Sequence, residues 1–249
     1  HAEDGIRDPL WSRGLGDVYK RQSTLLVVLP KCLSLNEMIS TKILIALTKG
    51  RILEETLPLL EAAGVVPDED IRHSRKLLFT TNLKNVDLIV IRGADVPTYV
   101  EFGSADLGVV GKDFILEYGC DGFYEPLDLK IAKCRLMTAV PLSNPVLSER
   151  VKVATKFPNI AKRYFSSKGK QIELVKLNGA LELAPSLGLA DAIVDIVDTG
   201  KTLQANGLEP KELIADISSR VIVNKASMKI KNAIISEILK KLRGAVKAF

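Results

Sequence analysis

Short apolar runs rich in β-branched residues recur along this chain, and each ends in a polar, often glycine-containing turn that opens an amphipathic segment. Residues 43–47 meet a turn of Thr48, Lys49, Gly50 and Arg51, and a helical pattern follows over 52–63 until Gly64. Residues 86–91 end at Arg92 and Gly93, after which Asp95 reads as an N-cap and Pro97 falls in the first helical turn. Residues 106–110 form a third run, followed by Gly111, Lys112 and Asp113 and a helix to Tyr118. A second set begins near Met137, with strands expected at 151–154, 172–176 and 192–196. Helices are expected at 159–168 and 180–187, and another opens at Thr199 to Thr202. Apolar residues at 230, 234, 235, 238, 239 and 242 make 227–243 one amphipathic closing helix.

Strand, polar turn and helix in repetition imply parallel βαβ units, hence an α/β chain. Two sets imply two lobes with a cleft between them: lobe I from 38–137 and 215–249, lobe II from 138–214. Ligands of open α/β sheets sit at the carboxyl ends of strands, where the charged turns fall. Residues 1–37 stand apart. They hold the one tryptophan, Trp11, sustain no period, and end just before Met38, so they read as a non-native leader.

Charge narrows the function. Five basic and five acidic residues cancel within 1–37, so the net +5 of the 249-residue chain belongs to 38–249. That excess suits polyanionic small molecules. No Lys/Arg run with interleaved aromatics argues for nucleic acid, and no stretch nears the roughly 18 apolar residues that span a bilayer. Cys32, Cys120 and Cys134 lack metal-ligand spacing and read as reduced packing residues of a cytoplasmic protein.

The sharpest motif is the stretch 193–203, in which an apolar strand carries Asp195 and Asp198 and then runs into Thr199, Gly200, Lys201 and Thr202. Backbone N–H groups at a helix start, with two hydroxyls, cradle a phosphate monoester, and Gly200 allows close approach. Carboxylates instead accept from sugar hydroxyls or hold hydrated Mg²⁺. Phosphate beside sugar points to a ribose 5-phosphate. A Walker loop is excluded, because Asp195 stands where its first glycine would be.

Glu182, Gly188, Ala190, Ile193, Asp195, Ile196, Thr199, Gly200, Thr202 and Leu203 fit the spaced signature of ATP phosphoribosyltransferases, and the chain resembles that family from about Lys42 onward. The resemblance implies two lobes like those of periplasmic binding proteins (the type IV phosphoribosyltransferase fold). It also implies transfer of phosphoribosyl from phosphoribosyl pyrophosphate (PRPP) to N1 of ATP, the first step of histidine biosynthesis, with Mg²⁺ held mainly by substrate phosphates. Carried over, it implies that Asp198, Thr199, Gly200, Lys201 and Thr202 hold the 5-phosphate and that Glu182 and Asp195 bind the ribose. Arg51 and Arg75 would act on the phosphates, and Lys49, Arg92, Asp113 and Phe157 would lie near ATP. Arg75 also fits a solvated basic loop, and Phe157 also fits a core position. With the chain ending at Phe249, the resemblance is to the short form. That form implies a homodimer and a hetero-oligomer with a histidyl-tRNA-synthetase-like regulatory subunit. The alternatives are another PRPP-dependent transferase or a two-lobed binding protein without turnover.

Overall fold

The computed structural model describes residues 42–119, 121–143 and 150–248; the reading of 1–37 lies outside them. Each apolar run becomes a strand. β1 (Ile43–Thr48), β3 (Val86–Ile91) and β4 (Leu107–Gly111) are parallel, with β1 central between the other two. β2 (Leu78–Thr80) pairs antiparallel at the edge, and β5 (Phe123–Asp128) and β11 (Ser219–Asn224) close the sheet as β2-β3-β1-β4-β11-β5. Its helices are α1 (Arg51–Ala62), α2 (Val96–Glu101), α3 (Lys112–Tyr118), α7 (Lys225–Ile230) and α8 (Asn232–Ala248).

The second sheet has the order β10-β6-β9-β7-β8, from β6 (Cys134–Pro141), β7 (Arg150–Thr155), β8 (Gln171–Lys176), β9 (Ala192–Val197) and β10 (Leu208–Ile217). β7 runs parallel to β8 and β9, while β6 is antiparallel to both β9 and β10. The helices α4 (Pro158–Ser167), α5 (Leu183–Ser186) and α6 (Lys201–Ala205) belong to this lobe.

Central strands are buried on both faces, which is why they read as unbroken apolar runs. Ile43, Ile45 and Leu47 pack with Leu59, Leu60 and the inner face of α8 at Ile235, Leu239 and Leu242. Each such side chain contributes about 1.5–3 kcal/mol on burial. Val151, Val153, Phe157, Phe165 and Val194 form one core of lobe II.

The chain crosses between sheets twice, through residues 129–133 and through Ser218 alone. The divisions expected at 137/138 and 214/215 therefore fall inside β6 and β10, whose long antiparallel pairing belongs wholly to lobe II. Two helices also differ from expectation. Ala180 sits at φ 50°, so α5 begins only at Leu183. The closing helix breaks at Lys231, whose ammonium turns inward to the buried Asp106 carboxylate at 2.9 and 3.0 Å. Among the described residues, no helix is long and apolar enough to cross a membrane.

Candidate active site at the mouth of two sheets

The strand ends of both lobes open on a cavity of about 680 Å³. From lobe I, β1 ends at Thr48, whose hydroxyl donates to the Val109 carbonyl at 2.7 Å and ties the ends of β1 and β4 together. Gly50 then turns at φ 95°, ψ −147°, a conformation that a side chain would strain, and Arg51 begins α1. At the end of β3, a Cβ on Gly93 would lie 2.7 Å from the Phe114 ring, so glycine there lets the Arg92 turn lie against α3. At the end of β4, a Cβ on Gly111 would lie 2.2 Å from the Asp113 carboxylate. Asp113 is 3% exposed, and burial raises its pKa. Lys49, Arg51, Arg92 and Asp113 all line the cavity.

Lobe II supplies the opposite wall. Lys156 follows β7, with its ammonium 4.9 Å from the Phe114 ring centroid, in cation–π range. Asn178 follows β8, and β9 delivers Ile196 and Asp198. Asp195 lies one residue back. Burial pushes its pKa up to about 6, opposed by the N–H of Ile196 that its carboxylate accepts at 2.8 Å. Glu182 and Asp113 push it further up, and Lys156 pulls it down, so these four charges share one field. Beyond Asp198, Gly200 adopts φ 78° and α6 starts with no side-chain cap. Thr199 accepts weakly from the Lys201 N–H at 3.5 Å, and the Lys201 and Thr202 side chains are exposed.

An ion pair also crosses the cleft. Arg51 Nη1 donates to Asp198 Oδ2 at 2.8 Å, with the two side chains 55% and 57% exposed. An ion pair that open contributes about 0–1 kcal/mol. A doubly charged phosphate can therefore displace it.

Thus the cavity gathers Lys49, Arg51, Arg92, Asp113 and Asp198, while Glu182 and Asp195 couple to it through charge, and Thr199 to Thr202 follow from Asp198. Two expected residues lie elsewhere. Phe157 is 1% exposed and packs edge-on to Phe114 at 5.8 Å, so the cleft-facing aromatic is Phe114 and Phe157 is core. Arg75 lines a neighbouring cavity of about 340 Å³ with Arg72 and Lys76, which meets the cleft only at Lys49. Sequence reasoning missed Lys156, Asn178 and Phe114. The signal for Lys156 was available, since it follows β7 just as Lys49 follows β1 and Arg92 follows β3. Cys134 lines the cavity too, but burial and Asp113 push its thiol up to about 11, so it stays protonated near neutrality. No group of three or more His, Cys, Asp or Glu side chains among the described residues converges on a metal position.

Comparison with known proteins agrees with this geometry. An ATP phosphoribosyltransferase from Hahella chejuensis is 63% identical over 209 residues, covering 84% of this chain and 99% of that one. One from Pseudomonas aeruginosa is 59% identical over 204 residues, covering 82% and 97%. Among solved structures, a chain of the ATP phosphoribosyl transferase (HisG:HisZ) complex from Thermotoga maritima superposes with a TM-score of 0.75. It is 33% identical, with 83% of this chain and 100% of that one covered. The substrate-binding protein of an amino acid ABC transporter, 12% identical with a TM-score of 0.52 over 83% of this chain and 96% of that one, shares the fold alone. The HisG profile, ATP phosphoribosyltransferase, matches residues 92–244, and with such relatives over nearly their whole length, this chain belongs to the ATP phosphoribosyltransferase family.

Proposed function

We propose that this chain transfers the phosphoribosyl group of PRPP to N1 of ATP with release of pyrophosphate, opening histidine biosynthesis in the cytoplasm. The observation that carries this reading is the charge gathered on one cleft: the cations Lys49, Arg51 and Arg92 from lobe I face the end of β9 with Asp195 and Asp198, beside Lys156, from lobe II. In it, the N–H groups at the start of α6 and the hydroxyls of Thr199 and Thr202 receive the 5-phosphate. Asp195 and Glu182 accept from the ribose hydroxyls. Lys49, Arg92 and Asp113 position ATP beside Phe114. Attack on C1 passes through a cation-like sugar while pyrophosphate departs, and the Arg51 fork stabilises the leaving charge. Arg75, in the adjoining basic cavity, assists from further away.

Mg²⁺ suits a site with one or two carboxylates and several substrate phosphates, and Asp195 and Glu182 are the carboxylates that would hold it, directly or through water. An ion held there would supply positive charge for the departing pyrophosphate. The solved complex from Thermotoga maritima pairs HisG with HisZ, which supports a hetero-oligomer with a HisZ-like regulatory subunit; within it, two copies of this chain form a homodimer. The test is ultraviolet absorbance of the phosphoribosyl-ATP product. Signal that needs ATP, PRPP and Mg²⁺ together is expected; silence with all three present, or equal signal without PRPP, would overturn the reading.

A further inference from the structure

Arg51 is held from behind by a side chain outside the cavity lining. Glu55 lies one turn along α1, and its two oxygens serve two different donors. Oε1 accepts from Arg51 Nε at 2.7 Å, and Oε2 accepts from the backbone N–H of Ala132, also at 2.7 Å. Ala132 belongs to the 129–133 crossover and sits at φ 47°, left-handed backbone that is strained for alanine. Lys130 in the same segment sits at φ 58°, its N–H donating to Asp128 at 2.8 Å. The second crossover is stitched to the first: the Ser218 hydroxyl donates to Asp128 at 2.9 Å, and the Ser219 N–H donates to the Ile131 carbonyl at 3.0 Å.

We infer that Glu55 is a positioning residue for phosphoribosyl transfer, fixing the direction of the Arg51 guanidinium from the strained backbone that links the two lobes. The inference rests on the role given above to Arg51. With Nε engaged by Glu55, the Nη edge faces the cleft, where Nη1 meets Asp198. That edge is the one an arginine offers a pyrophosphate. The electrostatics agree, since the Ala132 N–H is the first cause of a lowered Glu55 pKa and Glu55 the first cause of a raised Arg51 pKa. Removing the carboxylate leaves Arg51 charged but undirected, a loss felt where geometry matters most, in the transition state.

The experiment is a kinetic double-mutant cycle of wild type, Glu55→Gln, Arg51→Ala and the pair, with a melting temperature for each. Glutamine keeps the volume but offers one carbonyl oxygen to two donors. Glu55→Gln should lower kcat about 10- to 100-fold with KM for both substrates nearly unchanged. In the Arg51→Ala background it should add almost nothing, because the two residues act as one unit. Ala132→Gly on top of Glu55→Gln serves as the control for mere structure, because glycine adopts the left-handed φ freely. It should restore the melting temperature and leave kcat low. A full-size Glu55→Gln effect in an already impaired Arg51→Ala enzyme, or kcat restored by Ala132→Gly, overturns the coupling. Wild-type kcat in Arg51→Ala itself would strike instead at the parent role of Arg51.

Discussion

Lobe I enters the cleft through Lys49, Arg51 and Arg92, exposed cations within three residues of a parallel strand's end. Lobe II enters through Asp195, Asp198 and the small residues beyond, with Asp195 carrying a desolvated carboxylate. The difference is energetic as well as chemical. Exposed cations burden folding little and act by being available to phosphates. A carboxylate whose pKa is pushed up to about 6 opposes folding when ionised, and is retained for what it binds. Substitutions on the two walls should therefore separate activity from stability in opposite ways.

The largest effect is expected on lobe I. Arg51→Ala should reduce kcat by about 10²- to 10³-fold, the usual result of removing a donor aimed at developing charge. Its melting temperature should hardly move, because the Asp198 pair is more than half exposed. Arg75→Ala should have a smaller effect in the same assay, as its cavity meets the cleft only at Lys49. A larger loss in Arg75→Ala would show that the two cavities merge during turnover and would blur the comparison.

Asp195→Asn comes next, costing about 2 kcal/mol in PRPP binding or rate through a lost charged hydrogen bond. Stability should move the other way. A carboxyl whose folded pKa is raised stabilises fully below its unfolded value of about 3.8, and that contribution is lost as pH rises through about 6. Asparagine has no such loss, so the variant should gain on wild type between pH 4 and pH 7. Thermal melts at pH 5 and pH 8 check this, and a variant less stable than wild type at pH 8 would contradict the burial argument. By the same linkage, PRPP affinity of the wild type should weaken below pH 6.

The smallest effect belongs to the cradle. Thr202→Val removes one hydroxyl and keeps the shape, so KM for PRPP should rise by about 1 kcal/mol equivalent or less. An unchanged KM would leave the backbone N–H groups of α6 as sufficient for the phosphate.

The same contrast explains what the sequence made legible. Central strands are apolar on both faces, so their positions and the charged turns after them stand out in one dimension. The Asp195 to Thr202 loop is local, and its spacing survives in the sequence. What stayed hidden depends on pairing at a distance. β2 and β5 are edge strands, and the membership of β6 and β10 in one lobe is set by antiparallel partners far apart in the chain, as in Arg135 with Asp216. Phe157 and Phe114 come from opposite lobes and pack edge-on, so which ring faces the cleft is a choice that no single residue type announces. Lys156 stands between β7 and Phe157 without the glycine that marks the turns at Lys49 and Arg92. Glu55 reads as an ordinary helical i,i+4 partner until Ala132 comes within 2.7 Å of it.

The central claim is that lobe II alone holds the ribose phosphate. Calorimetric titration of PRPP and, separately, of ATP into wild type and Asp195→Asn addresses it most directly. The account predicts PRPP affinity reduced about 30-fold, the equivalent of 2 kcal/mol, with ATP affinity unchanged. Equal weakening of both ligands, or PRPP binding at wild-type strength, would contradict it.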